Sequence, residues 1–143
     1  MIFPEFNDSE NPTSDIRHPT SNIIIKGPLD GKDKVELILD TTYFILPSQS
    51  EGFPTSILEA MTHGCIPVFT EGCNFPEALE AGVGIEIKYD EYDIRRKLEE
   101  ISVWTVDKQN EISRKTKKFA DENYNWKSIV SQQIKLYTEI TGF

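Results

Sequence analysis

A short apolar run, followed by a loop rich in small and polar residues and then a helical pattern, limits the fold of this chain most strongly. The run Tyr43–Leu46 consists of β-favouring residues and predicts a buried strand that ends at Pro47. Apolar residues then recur at helical spacing until Gly64 stops them. That helical apolar face consists of Ile57, Leu58 and Met61. The unit is strand, loop, helix, and in an open parallel sheet such a loop lies at the carboxyl edge, where ligands bind.

The loop between strand and helix has residue types that suit an anionic ligand. Gly52 has no Cβ and lets the backbone approach a ligand closely. Pro54 suits the first helical position, where a missing N–H costs nothing. The amides that follow are expected to point out of the helix N-terminus and to form a site for a phosphate. They belong to Thr55, Ser56 and Ile57.

Two glutamates flank this anion site. Glu59 lies roughly 200° around the helix from Ile57 and roughly 7.5 Å along it from Pro54, so it faces away from the core. A carboxylate there accepts hydrogen bonds from a ribose diol, and Glu51 in the loop reaches a sugar beyond the phosphates. Two alternatives remain open: Glu51 is a solvated loop acid, or Ser56 and Glu59 form a capping box in a helix that begins two residues later.

Further motifs surround the two glutamates. They are Leu46-Pro47-Ser48, Gly52-Phe53-Pro54, Leu58-Glu59-Ala60-Met61, Gly64-Cys65-Ile66-Pro67-Val68, Pro76-Glu77 and Gly82. Together with Glu51 and Glu59 they resemble the E-x7-E signature of retaining glycosyltransferases with the GT-B fold. The resemblance runs from about Ile23 to the last residue and is most specific in the central block.

The resemblance implies a fold and a set of roles. The fold is a Rossmann-like, mostly parallel sheet of about four strands flanked by helices, with a C-terminal helical segment, as part of a GT-B donor-binding domain. The residue matching Glu59 holds the ribose of a nucleotide-sugar, and the one matching Glu51 contacts the donor sugar as the catalytic residue. The other donor-binding residues implied are Gly52, Phe53, Pro54, Thr55 and Ser56. No metal and no cofactor is implied, since the nucleotide-sugar is the substrate.

The chain departs from the family in its first residues. The family's donor-binding half begins with two more strand–helix units, which carry an Arg and a Lys that pair with the donor diphosphate, and nothing before Ile23 matches them. We therefore expect a fragment or truncated product, whose acceptor glycan or lipid-linked sugar is held by a missing N-terminal domain. The expected pathway is polysaccharide or glycoconjugate biosynthesis. The alternatives are a non-catalytic nucleotide-binding or partner-binding module, and another phosphate-binding α/β domain with a chance motif.

The rest of the chain divides into a polar arm, 1–22, predicted to be loop or disorder, and a domain, 23–143. Strands are predicted at 23–25, 43–46, 67–70 and 85–87, and we favour direct pairing of the first two. The alternative is that 23–25 stays unpaired or pairs with another chain. Helices are predicted to begin at Asp30 or Gly31, at Pro76, after Asp90, at Thr105 or Asp107, and after Asn125, the last with Ile129, Ile134 and Tyr137 facing inward.

Composition excludes several classes of function. The net charge of −9 argues against general nucleic-acid binding and against electrostatic docking on anionic lipid. No apolar run approaches the ~20 residues of a membrane span, and the first residues lack the pattern of a signal peptide. Cys65 and Cys73 fit a reduced cytosolic protein, and with His18 and His63 they form no zinc spacing. We expect a cytoplasmic protein, with peripheral membrane attachment through the missing domain left open.

Overall fold

The computed structural model describes residues 16–17 and 24–142. The chain divides into two units, Met1–Leu37 and Ile38–Phe143. In the first unit, strand β1 (Ile16–Arg17) pairs antiparallel with β2 (Ile24–Ile25), and helix α1 (Gly31–Leu39) begins after them.

The second unit is built on a three-stranded parallel sheet in the order β3-β4-β5. The strands are β3 (Tyr43–Leu46), β4 (Ile66–Thr70) and β5 (Ile85–Ile87). Helix α2 (Thr55–Thr62) connects β3 to β4, and α3 (Pro76–Glu80) connects β4 to β5. The remaining helices are α4 (Glu91–Ser102), α5 (Val106–Asn123) and α6 (Trp126–Thr141). The predicted α/β fold with a parallel sheet flanked by helices and a C-terminal helical segment is confirmed.

The predicted pairing of 23–25 with Tyr43–Leu46 is wrong. Among the described residues β2 is hydrogen-bonded to β1, in a separate two-stranded sheet, and the parallel sheet has three strands rather than about four. Pairing two segments that are close in sequence closes a short loop, whereas the predicted parallel pairing needs a longer crossover. Ile16–Arg17 of the arm is thus a strand and not a loop; the other residues of the arm, and Ile23 of the predicted strand 23–25, lie outside the described residues.

Both faces of the parallel sheet are covered, which explains why the central strand β4 is buried at all five positions. Successive residues of a strand point to opposite faces, so Val68 and Phe69 belong to two different cores. Phe69 packs with buried residues of α2, α3 and α5, and Val68 packs with Ile87 and with Ile101 of α4. Because both of its faces are buried, β4 has a nearly continuous apolar sequence, as is typical of an interior parallel strand.

Three helix starts match the prediction because their caps are local. The side chains of Asp90, Thr105 and Asn125 accept hydrogen bonds from the N–H groups of Tyr92, Lys108 and Ser128, respectively. The inward orientation predicted for Ile134 and Tyr137 of α6 is wrong, since 61% and 66% of these residues are exposed. Helix α6 packs against α5, yet none of its residues is buried.

Candidate functional site

Two loops meet at the carboxyl edge of the parallel sheet. One follows β3, and the other contains the 3₁₀ turn Glu71–Cys73 after β4. The N–H of Glu51 donates to the carbonyl oxygen of Gly72 over 2.7 Å. The hydroxyl of Thr70 donates to the carbonyl oxygen of Ser48. These bonds hold the beginning of loop 47–54, which is the predicted donor loop, at the end of the central strand.

The two loops approach so closely at Gly72 that no side chain fits there. A Cβ atom at this position would lie 2.3 Å from the carbonyl oxygen of Gln49 and 2.7 Å from that of Ser48. Gly52 is different: a Cβ there would meet nothing within 4 Å, and its φ is not positive. The chain therefore needs glycine at 72 for its own packing, whereas nothing in the described part of the chain requires glycine at 52.

This contrast gives a prediction. Gly72→Ala forces two backbone segments apart, so we expect it to lower the free energy of unfolding by about 1–3 kcal/mol, the usual range for overpacking. Gly52→Ala should leave stability within about 0.5 kcal/mol, as for other surface changes. Urea unfolding of both variants checks this. Equal stability of Gly72→Ala and the wild type would contradict the close approach of the loops.

The donor loop enters α2 through a tight turn at Pro54. This proline has φ −81° and ψ 72°, and the N–H of Thr55 donates to the carbonyl oxygen of Phe53 over 2.9 Å. Such geometry is an inverse γ-turn. Pro54 therefore precedes the helix rather than occupying its first position, and its side chain is fully buried. Because the amide of Thr55 is bonded inside this turn, the predicted anion site retains only the amides of Ser56 and Ile57, which have no intrahelical acceptor.

Helix α2 places Glu59 as the sequence predicted. Ile57, Ala60 and Met61 are fully buried, whereas Glu59 lies on the opposite side of the helix and is half-buried. The capping-box alternative is wrong, since the helix begins at Thr55, before Ser56, and has no side-chain cap.

Helix α2 ends just before Gly64, which stops it as predicted. Gly64 has φ 87°, and its N–H donates to the carbonyl oxygen of Met61, while the N–H of Cys65 donates to that of Ala60. These two bonds form a Schellman motif. The chain then turns directly into β4.

An aromatic cluster anchors the donor loop to the core. The ring of Phe53 lies 6.1 Å from that of Phe75 and 5.9 Å from that of Tyr124. Phe53 is nevertheless 48% exposed, so one side of its ring is open at the loop. Burial, and to a lesser degree the negative charge of Glu77, raises the pKa of Tyr124 and keeps its phenol neutral.

A cleft of about 490 Å³ opens at the carboxyl ends of β3, β4 and β5. It borders the donor loop through Ser48 and Gln49, but Glu51 and Glu59 do not line it. Its charged side chains are Glu71, Glu86 and Lys88. Sequence reasoning missed the contributions of Gln49, Glu71 and Lys88; their positions just after predicted strands were the signal that could have identified them.

Packing explains the two cysteines. Cys65 and Cys73 are free and buried; the thiol of Cys65 donates to the carbonyl oxygens of Ile38 and Thr41, and burial raises its pKa.

Within residues 24–142, no three His, Cys, Asp or Glu residues come together in a way that could hold a metal ion. None of the described helices is both long enough and apolar enough to cross a membrane.

Comparison with known proteins identifies the family of the chain. A family model described as "Glycosyl transferases group 1" matches residues 10–126, which include both loops and all of the predicted site residues. Searches of curated proteins and of solved structures gave no significant match. The matched region covers most of the chain and includes the strand–loop–helix units of the parallel sheet. The chain therefore belongs to the group 1 glycosyltransferase family.

Proposed function

We propose that this chain is the donor-binding part of a retaining glycosyltransferase of the E-x7-E group and that it binds a nucleotide-sugar at the carboxyl edge of its parallel sheet. The observation that supports this best is the loop from Glu51 to Pro54. It is fixed at Glu51 by Gly72 and at Phe53 by the aromatic cluster, while Gly52 between them faces open space. A fixed backbone with an unobstructed glycine suits close contact with a sugar.

The roles follow from the order of groups along the loop and helix. The amides of Ser56 and Ile57 at the start of α2 bind the diphosphate, because a helix N-terminus favours negative charge. Glu59 lies roughly 3–4.5 Å further along the helix, at 1.5 Å per residue, and accepts hydrogen bonds from the ribose hydroxyls. Glu51 contacts the donor sugar as the catalytic residue, and the backbone from Gly52 to Thr55 lies along it.

The partners of the proposed enzyme follow from the same reaction. The donor is a nucleotide-sugar, and the acceptor is a glycan or a lipid-linked sugar presented by an N-terminal domain. We place the reaction in the cytoplasm, in polysaccharide or glycoconjugate biosynthesis. It uses no metal and no cofactor, so the helix N-terminus and nearby cations balance the diphosphate charge.

Loss of the Glu59 carboxylate tests the proposed ribose contact. We expect Glu59→Ala to weaken the binding of UDP or GDP by about 1–3 kcal/mol, the scale of a lost hydrogen bond to a charged group. The fold should persist, because Glu59 lies opposite the buried face of α2 and alanine favours helix. Isothermal titration calorimetry measures the affinity. Glu80→Ala, which removes an exposed carboxylate at the end of α3, is the matched control.

The Glu59 experiment also separates stability from binding. An unchanged nucleotide affinity in Glu59→Ala would show that Glu59 does not bind the ribose. Loss of cooperative unfolding in the same variant would assign Glu59 a structural role instead. Gly52→Ala adds an independent test, since we expect it to keep wild-type stability but to lose affinity for the sugar part of the donor.

A second candidate function is a non-catalytic module that binds a nucleotide or a partner chain. The shortage of positive charge at the site favours it. The segment 47–59 contains no Lys, Arg or His, and Lys88 is the one cationic residue that lines the cleft within the part of the chain that the structure describes. Nucleotide binding is expected for both candidates, so the measurement of sugar transfer distinguishes them.

A further inference from the structure

The cleft at the carboxyl edge of the sheet adjoins the proposed catalytic residue, Glu51. Gln49 of its lining comes shortly before Glu51 in the chain. The carbonyl oxygen of Gly72, which also lines the cleft, accepts the N–H of Glu51 over 2.7 Å. Residues 51–59, which carry the proposed donor-binding groups, are all described, and none of them lines the cleft. A transferase needs a second substrate next to its donor, and the cleft has that position.

The lining of the cleft suits a ligand that is partly apolar and partly polar. Its volume of about 490 Å³ lies within the range of about 300–1,000 Å³ that small-molecule sites have. Tyr89 is 60% exposed and presents the apolar face of its ring. Hydrogen-bond donors and acceptors come from Gln49, Glu71, Glu86 and Lys88. A sugar ring has the matching character, because C–H groups form its faces and hydroxyl groups form its rim.

The two carboxylates of the cleft are available to such a ligand. Within the part of the chain that the structure describes, neither Glu71 nor Glu86 has a hydrogen-bond or ion-pair partner for its side chain. Asp93, in the first turn of the next helix, is instead paired with Arg96 over 2.6 Å. An ionised carboxylate accepts hydrogen bonds from hydroxyl groups more strongly than a neutral acceptor does. Glu71 and Glu86 can therefore bind the hydroxyl groups of a sugar.

The charge of the cleft distinguishes its ligand from the donor. Its two carboxylates outnumber the one ammonium group that Lys88 supplies among the described residues, and the whole chain carries −9. Excess negative charge opposes the binding of a diphosphate or of a phosphorylated sugar, and it permits a neutral sugar or an amino sugar. A nucleotide-sugar is an anion, so its phosphates do not suit the cleft. The acceptor is the other sugar substrate of a glycosyltransferase.

We propose that this cleft is a carbohydrate subsite that binds the terminal sugar of the acceptor, a neutral or amino sugar. Tyr89 stacks on the face of the ring, and Glu71 and Glu86 accept hydrogen bonds from its hydroxyl groups. The assignment to the acceptor rests on the proposed function of the donor loop, whereas the binding of an uncharged sugar rests on the lining of the cleft alone. A single subsite binds one sugar weakly, so the proposed N-terminal domain still has to hold the rest of the acceptor.

Nuclear magnetic resonance titration of the isotope-labelled 143-residue chain tests the subsite. The probes are the methyl α-pyranosides of glucose, mannose and galactose, together with glucosamine, and glucose 6-phosphate is the anionic comparison. We expect at least one of the first four to shift the amide signals of Gln49, Glu71 and Tyr89, with a dissociation constant of roughly 1–10 mM. Glucose 6-phosphate should bind about tenfold more weakly or not at all.

Three variants test the roles of the lining residues. Tyr89→Ala removes the stacking surface and should raise the dissociation constant of the sugar about tenfold. Tyr137→Ala removes a tyrosine of similar exposure, 66%, from α6 and should leave this constant unchanged. Glu86→Lys reverses one charge and should make glucose 6-phosphate bind more tightly than the uncharged sugar. Because Glu86 and Tyr89 are exposed, their variants should unfold as cooperatively as the wild type.

Titration of the same sample with UDP and GDP separates the subsite from the donor site. Sugar-dependent shifts at Gln49 and Tyr89 without nucleotide-dependent shifts at Ser56 and Glu59 would refute the proposed donor function and leave the carbohydrate subsite. Nucleotide-dependent shifts at Ser56 and Glu59 without any sugar-dependent shift at the cleft would overturn the subsite and leave the donor function. A Tyr89→Ala variant that binds the sugar as tightly as the wild type would also overturn the subsite.

Discussion

The purified 143-residue chain is expected to bind a nucleotide-sugar weakly and to transfer no sugar. Transfer requires an acceptor held against the anomeric carbon, and such positioning contributes about 7–11 kcal/mol to catalysis. It also requires positive charge for the departing diphosphate, since stabilising the charge that develops in the transition state usually contributes most to the rate enhancement. In the proposed site the amides of Ser56 and Ile57 supply part of this, and among the described residues Lys88 is the one cation that lines the cleft. A radiolabelled-sugar assay over candidate donors and over lipid and glycan acceptors measures transfer.

Glu51→Ala is the control for that assay. Product that forms with the wild type and disappears with Glu51→Ala would show that the chain is catalytically complete, contrary to our expectation. Product that persists in Glu51→Ala would come from another enzyme in the preparation. The absence of product together with measurable nucleotide binding is the expected result.

Phe75→Ala is expected to lower the free energy of unfolding by about 3–5 kcal/mol, as for other buried phenylalanines. Phe75 is 2% exposed, and its ring contacts those of Phe69, Phe119 and Tyr124, with centroid distances of 6.1, 6.4 and 5.5 Å. A domain of this size has about 5–15 kcal/mol in all, so the loss is a large fraction of its stability. Urea unfolding of the variant measures it.

Phe53→Ala is the matched control for Phe75→Ala. It removes a ring of the same cluster that is half exposed, so we expect a clearly smaller loss of stability. Because Phe53 anchors the donor loop, this variant should instead lower nucleotide-sugar affinity. If Phe75→Ala and Phe53→Ala were equally stable, Phe75 would not be the centre of the cluster.

The sequence predicted the parts of the fold that depend on neighbouring residues. The caps at Asp90, Thr105 and Asn125 and the stop at Gly64 each involve groups within a few residues, so their signals are local. The pairing of β2 depends on competition between a nearby strand and a distant one, and the exposure of α6 depends on which elements pack against it. Local patterns carry no information on either, and these predictions were wrong.

For the candidate site, too, the local helical geometry could be predicted from the sequence, whereas the contacts between loops could not. The direction of Glu59 followed from helical geometry alone, and the structure agrees with it. The bond that occupies the amide of Thr55 depends on the ψ angle of Pro54, which the sequence does not specify. The close approach of Gly72 to Gln49 joins loops after two different strands, and only the three-dimensional structure reveals it.

The two buried thiols mark opposite ends of the central strand. Cys65 precedes β4 beside the carbonyl groups of Ile38 and Thr41, whereas Cys73 follows β4 and lies beside the carbonyl group of Leu46 at the donor loop. A thiol reagent can reach either sulfur only when that end of the sheet opens. The chain therefore contains its own pair of accessibility reporters, one at the carboxyl edge of the sheet and one at the opposite edge, and the opening of each can be timed separately.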